Sequence, residues 1–150
     1  MAGTYTNILC HIIFSTKNRE ASINAGFASE LYAYAGGIIR DEKGKLLAAG
    51  GTENHLHLLS VLPASMSLSD LMRKVKGNSS AWINKNRKVP GHFAWQTGYG
   101  AFSVSESARK DVMHYIARQC EHHRHRSFEE EFVEFLEKHN VDYDTRFIWD

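Results

Sequence analysis

Proline is nearly missing from this chain of 150 residues, with only Pro63 and Pro90, each placed where a periodic segment runs out. Cysteine is equally sparse: Cys10 and Cys120 form neither a disulfide framework nor a CxxC motif, which suits a reducing compartment. No apolar run reaches membrane-spanning length, and the amino terminus lacks the basic, apolar and small-residue sections of a signal peptide. A cytoplasmic protein without a membrane partner is the expectation. Internal repeats, low-complexity tracts and linkers are also lacking, so the length fits one domain over residues 1–150.

Charge of one sign is missing from the total but not from the distribution. The net charge of +1 does not announce a nucleic-acid binder. Yet Leu71 to Pro90 holds Arg73, Lys74, Lys76, Lys85, Arg87 and Lys88 with no acid, whereas Phe128 to Asp144 is dominated by acids. A neutral sum can conceal a basic face.

Hydrophobic periodicity places the elements. Asn7 to Ser15 alternates with apolar residues on both faces, as a central strand does. Ala25 to Arg40 carries Phe27, Leu31, Tyr34 and Ile38 at helical spacing. After a turn at residues 41–44, Lys45 to Gly50 and His55 to Leu62 read as a hairpin. Ser67 and Asp70 have capping-box spacing at the start of a second helix, and Tyr99 to Val104 forms a fourth strand. A continuous third helix is expected from Glu106 to His123 with Ser105 as its N-cap. Ser127 and Glu130 open a short last helix with Phe128, Phe132, Phe135 and Leu136 inward. The order βαββαβ followed by helices predicts an α+β, ferredoxin-like domain with a four-stranded antiparallel sheet.

Three groups could carry chemistry. His55 and His57 stand two apart on a strand, hence on one face with Cα atoms about 6.5 Å apart, close enough to converge on one cation. Two satisfied histidines on a half-exposed sheet face would look the same. Tyr115 and Gln119 share a helical face, with His122 three further on. A phenol there can be a nucleophile if a base or cation assists it, or simply a core residue beside Val112 and Ile116. His122, His123 and His125 point in different directions from a continuous helix, so structural or phosphate-contacting roles rank ahead of chelation. The basic stretch with Trp82 suits single-stranded nucleic acid, although core packing of Trp82 and a solvated charged face account for it as well.

Taken together, the segments YTNILCHIIFSTKNR (5–19), NHLHLL (54–59), KGNSSAWIN (76–84), FAWQTGYGAFSVS (93–105) and YIARQCEHHRHRSFEEEF (115–132) resemble the HUH single-tyrosine transposases of insertion sequences, the IS200-like family, related to the REP-associated tyrosine transposases. The resemblance implies His55, His57 and Gln119 as ligands of Mg²⁺ or Mn²⁺ and Tyr115 as the nucleophile. It implies single-stranded DNA with a hairpin as substrate and a 5′-phosphotyrosine intermediate. Arg73, Lys74, Lys76, Arg118, His122 and Arg124 become candidate DNA contacts. Asn54 stands where an acid is expected more often. The resemblance also implies a homodimer, with the tyrosine helix of one subunit completing the histidine pair of the other. Tyr143, Phe147, Ile148 and Trp149 could supply apolar contact between subunits or cover their own core.

Two other functions fit parts of the sequence. A ferredoxin-like module could bind single-stranded nucleic acid without catalysis, but the aromatic RNP1 pattern is not evident on the first or fourth strand. A metal-dependent hydrolase could use His55 and His57 without a covalent intermediate.

Overall fold

A computed structural model describes residues 3–150. Met1 and Ala2, part of the amino-terminal stretch read above for a leader, lie outside it. The strands are β1 (Leu9–Ser15), β2 (Lys45–Thr52), β3 (His55–Val61) and β4 (Gly100–Val104). The helices are α1 (Ala25–Asp41), α2 (Leu68–Lys85), α3 (Arg109–Ala117), α4 (Gln119–His122) and α5 (Phe128–Lys138). The sheet is antiparallel in the order β2-β3-β1-β4, the ferredoxin-like arrangement that the βαββαβ order predicts. No helix among the described residues is long and apolar enough to cross a membrane.

Strand alternation divides the molecule into two apolar layers. Cys10, Ile12 and Phe14 of β1 and Leu56 and Leu58 of β3 face α1 and α2, where Phe27, Leu31, Ile39, Leu71, Met72, Val75 and Ile83 close the larger core. The opposite side of β1 presents Leu9, His11 and Ile13, and that of β3 presents His55, His57 and Leu59. Leu9 and Leu59 pack on Ile116 of α3. Ile13 and Phe102 pack on Phe128, Phe132 and Leu136 of α5, with Ile148 and Trp149 at the edge. β1 and β3 thus have apolar partners on both faces. The carboxy-terminal apolar residues divide: Ile148 and Trp149 cover their own α5, while Phe147 stays 60% exposed.

Capping sets the helix ends. Ser67 Oγ accepts from the Asp70 amide at 3.1 Å, and Ser127 with Glu130 completes a reciprocal capping box. The third helix departs from expectation. A 3-10 turn covers Glu106–Ala108, and Ser105 makes no side-chain cap. The chain also leaves helical geometry at Arg118 (φ −110°, ψ 26°), so α3 and α4 are separate pieces rather than one helix to His123.

α3 approaches β2 through a glycine. A Cβ built on Gly50 would lie 2.3 Å from the Ile116 carbonyl oxygen, closer than any real contact. Gly50→Ala should therefore displace α3 and lower stability by roughly 1–3 kcal/mol, as overpacking does. Gly77, on the exposed side of α2 with nothing within 4 Å of its Cβ position, gives the control. Gly77→Ala should raise stability by about 0.5–1 kcal/mol through helix propensity. Urea denaturation of both variants measures the contrast, and equal midpoints would remove the close-approach argument.

Candidate functional site

The His55–His57 pair belongs to the interior. Both side chains are fully enclosed beneath α3, α4 and α5, which corrects the half-exposed sheet face expected from sequence. Burial follows from the sequence around them: Leu9 and Leu59 bind α3, Ile13 and Phe102 bind α5, and the histidines lie between these contacts.

The hydrogen bonds around the rings restrict where protons can sit. His55 Nδ1 lies 2.9 Å from Asn54 Oδ1 and 3.0 Å from Thr52 Oγ1. With the Nδ1–H donated to the Asn54 oxygen, Nε2 is left bare, facing Gln119 Oε1 at 3.0 Å. His123 Nδ1 donates to the Arg126 carbonyl at 2.9 Å, because a carbonyl can only accept. With its proton on Nδ1, His123 presents its other nitrogen, Nε2, at 3.0 Å from both Gln119 Oε1 and Glu131 Oε1. His57 has a choice. Its Nε2 sits 2.9 Å from Glu131 Oε1, and its Nδ1 sits 2.8 Å from His11 Nε2. A proton on Nδ1, donated to His11, frees Nε2.

Acceptor atoms thus converge where hydrogen atoms do not separate them. His55 Nε2, His57 Nε2, His123 Nε2 and Glu131 Oε1 gather within 4.8 Å of one another. A cation with bonds of about 2.1 Å holds neighbouring ligand atoms about 3 Å apart. The spacings of 2.9, 3.0 and 3.6 Å from Glu131 Oε1 to the three imidazoles meet that requirement. The residues present fit a divalent metal.

Electrostatics agree. Burial, and next the charge of His57, push His55 down to about 3; burial and then His57 do the same to His11. Burial likewise lowers His57. Burial alone would raise the Glu131 carboxyl, but its close contacts with His123 and His57 and the hydrogen bond from Tyr115 outweigh it and hold Glu131 well below the usual carboxylate range. Neutral imidazoles around an ionised carboxylate are the protonation states metal binding requires.

Tyr115 stands at the open side of this cluster. Its hydroxyl donates a short hydrogen bond to Glu131 Oε2 and accepts from Arg126 Nη2 at 2.7 Å. Gln119 Nε2 donates to the same Oε2 at 3.1 Å. Burial, then the bond to Glu131 and its charge, raise the Tyr115 phenol above its ordinary value, so it is protonated at neutral pH. The His122 ring stacks on the Tyr115 ring, with centroids 4.3 Å apart.

A family model for IS200-like transposases matches residues 4–119. The chain belongs to that family. Transposases for insertion sequence element IS200 from Salmonella typhimurium and Salmonella typhi are each 28% identical over 130 residues, 81% of this chain and 82% of theirs. The fold resembles a crystal structure of a Deinococcus radiodurans protein assigned as a transposase, with TM-score 0.63, 24% identity, and 79% and 95% of the two chains covered. It also resembles a REP-associated tyrosine transposase bound to a REP hairpin, with TM-score 0.55, 14% identity, and 79% and 70% covered.

In this IS200-like transposase, Tyr115, His55, His57 and Gln119 meet within one chain, although Tyr115 and Gln119 flank a helix break. Arg118 and Arg124 are exposed near them, and Arg118 pairs with Glu121. The other candidate DNA contacts lie across the sheet on α2. Arg73 pairs with Asp70 and Lys74 with Glu42. Lys76 donates to the carbonyls of Thr97 and Gly98. Arg73 and Lys76 also line a surface cavity of about 510 Å³ with Asn84, Trp95 and Tyr99. Asn54, standing where an acid is expected, does an acid's work by accepting from His55.

Sequence reasoning missed His11, His123, Arg126 and Glu131. The signal for Glu131 was its position: 128, 131, 132, 135 and 136 share one face of α5, so an acid sits at a core position. His123 was set aside because a continuous helix was assumed.

Buried neutral histidines make the metal-free protein acid-sensitive. The folded values of about 3 for His11 and His55 lie below the unfolded value near 6.5. The unfolded chain therefore takes up protons first, and the contribution, complete above pH 6.5, is lost as pH falls toward 3. In chelator, the urea midpoint should drop steadily from pH 7 to pH 4.5, by up to about 1.4 kcal/mol per pH unit for each histidine. A flat profile over that range would show that these rings are not buried neutral.

Proposed function

We propose that this family member cuts and rejoins single-stranded DNA at hairpin-bearing element ends, with Tyr115 as nucleophile and a divalent cation, Mg²⁺ or Mn²⁺, held by His55, His57 and Gln119. One observation carries the reading. The Tyr115 hydroxyl and the imidazole cluster share the Glu131 carboxylate, which supports the pairing of a nucleophile with a cation site. The hairpin is suggested by the similar REP-associated transposase, which is bound to one.

When bound, the cation would polarise the scissile phosphate and offset its developing charge. The protein's residues do the rest. Arg126 and Glu131 hold the phenol from two sides, fixing the direction of its oxygen. The Tyr115 oxygen forms a bond to phosphorus as the bond to the 3′-oxygen breaks. The phenol proton leaves toward Glu131 Oε2, its existing acceptor, and the departing 3′-oxygen takes a proton to become a hydroxyl. A 5′-phosphotyrosine remains, and a 3′-hydroxyl from another end reverses the step. The phosphodiester energy is conserved, so no nucleotide is consumed.

His122, which stacks on the tyrosine, is assigned with Arg118 and Arg124 to contacts near the cut, leaving Arg73, Lys74 and Lys76 to contact DNA away from it. A homodimer would serve to bring two DNA ends together. The reaction belongs in the cytoplasm with its DNA. A non-catalytic module of the RRM kind is disfavoured, since it reads RNA on an open sheet face and β1 is buried along its length.

Labelled hairpin DNA with a single-stranded flank separates the readings. The wild type with Mn²⁺ should become covalently labelled, while Tyr115→Phe should bind the hairpin within about twofold and form no adduct. Cleavage without attachment would point to a hydrolase, and adduct formation by the Phe variant would move the nucleophile elsewhere.

A further inference from the structure

Glu131 is the most connected side chain of the site, and the ligand set His55, His57 and Gln119 gives it no role. Its two oxygens face different partners. Oε1 lies 2.9 Å from His57 Nε2, 3.0 Å from His123 Nε2 and 3.6 Å from His55 Nε2. Oε2 accepts from Tyr115 Oη and from Gln119 Nε2. The carboxylate is fully buried without a close guanidinium or ammonium partner: Arg126 is 3.8 Å away and is shared with Glu134. Burying an anion without such a partner is costly, and a cation at the converging nitrogens removes the cost.

We propose that Glu131, together with His123, binds the divalent cation directly through Oε1, and that Oε2 of the same carboxylate aims the Tyr115 hydroxyl. This rests on the function proposed above and extends its ligand set. The carboxylate becomes a rigid connector of fixed length. When Oε1 is drawn onto the cation, Oε2 carries the phenol with it. Loading of the metal site and alignment of the nucleophile are then one event. Three imidazoles and a carboxylate also favour Mn²⁺ over Mg²⁺, which prefers oxygen ligands and keeps its waters.

Glu131 is thus a metal ligand and a positioning residue, and the test reads metal rather than turnover. Mn²⁺ binding is measured by calorimetry and by the loss of the free-ion electron paramagnetic resonance signal, without DNA. Glu131→Gln, of equal shape, should weaken Mn²⁺ binding by at least about tenfold, and His123→Gln should weaken it too. Glu137→Gln, an exposed change on the same helix, should stay within about twofold. A Glu131→Gln protein that folds and binds Mn²⁺ as the wild type does would overturn the proposal. Should that variant not fold, wild-type crystals soaked in Mn²⁺ decide. Anomalous density with a Glu131 oxygen within about 2.4 Å supports direct coordination, and a peak more than about 3 Å away refutes it. The reading of function fails separately: normal Mn²⁺ results with no covalent DNA adduct would sink the transposition chemistry and leave the ligand set standing.

Discussion

The placement of one carboxylate governs this molecule. Glu131 has no contact with solvent, and an anion so enclosed must be surrounded by donors or cations. It gathers His57 from β3, Tyr115 from α3, Gln119 from α4 and His123 from just past the end of α4. The apolar contacts of Phe128, Phe132 and Leu136 press α5 onto the sheet and deliver the carboxylate to that point. Fold and site are therefore joined at a single side chain.

The two faces of the sheet have different tasks. One holds an ordinary apolar core beneath α1 and α2. The other interrupts its apolar cover with three strand histidines: His11, His55 and His57. Such an interruption is tolerated because the rings are neutral and bonded, His57 to His11 and His55 to Asn54. The polar cluster is small enough that the flanking contacts of Leu59 with Ile116 and of Ile13 with the α5 phenylalanines hold the layers together.

Much of this was legible in the sequence. Period-two alternation located β1 and β3 and assigned His55 and His57 to one face, because strand geometry leaves little freedom. Capping residues located α2 and α5. What was hidden depended on tertiary contact. Nothing local says that Arg118 leaves helical geometry, and that break brings Gln119 and His123 to the cluster together while His122 stacks on Tyr115. Glu131 was partly visible, as an acid on the apolar face of α5, but its partners come from residues 8 to 76 positions away in the chain. Periodicity cannot report such distances. The burial of the histidine pair likewise follows from the cover of α3–α5, not from the strand itself.

Gly50 bears on more than packing. Its missing side chain lets the backbone of α3 rest almost on β2, and Ile116, the residue it touches, is the immediate neighbour of Tyr115. The height of the phenol above the histidines is thus set by atoms that are not there. Among related sequences, a larger residue at this strand position would have to be matched by a shifted helix or a longer reach from the nucleophile. The vacancy on β2 and the position of the tyrosine on α3 are physically coupled through Ile116.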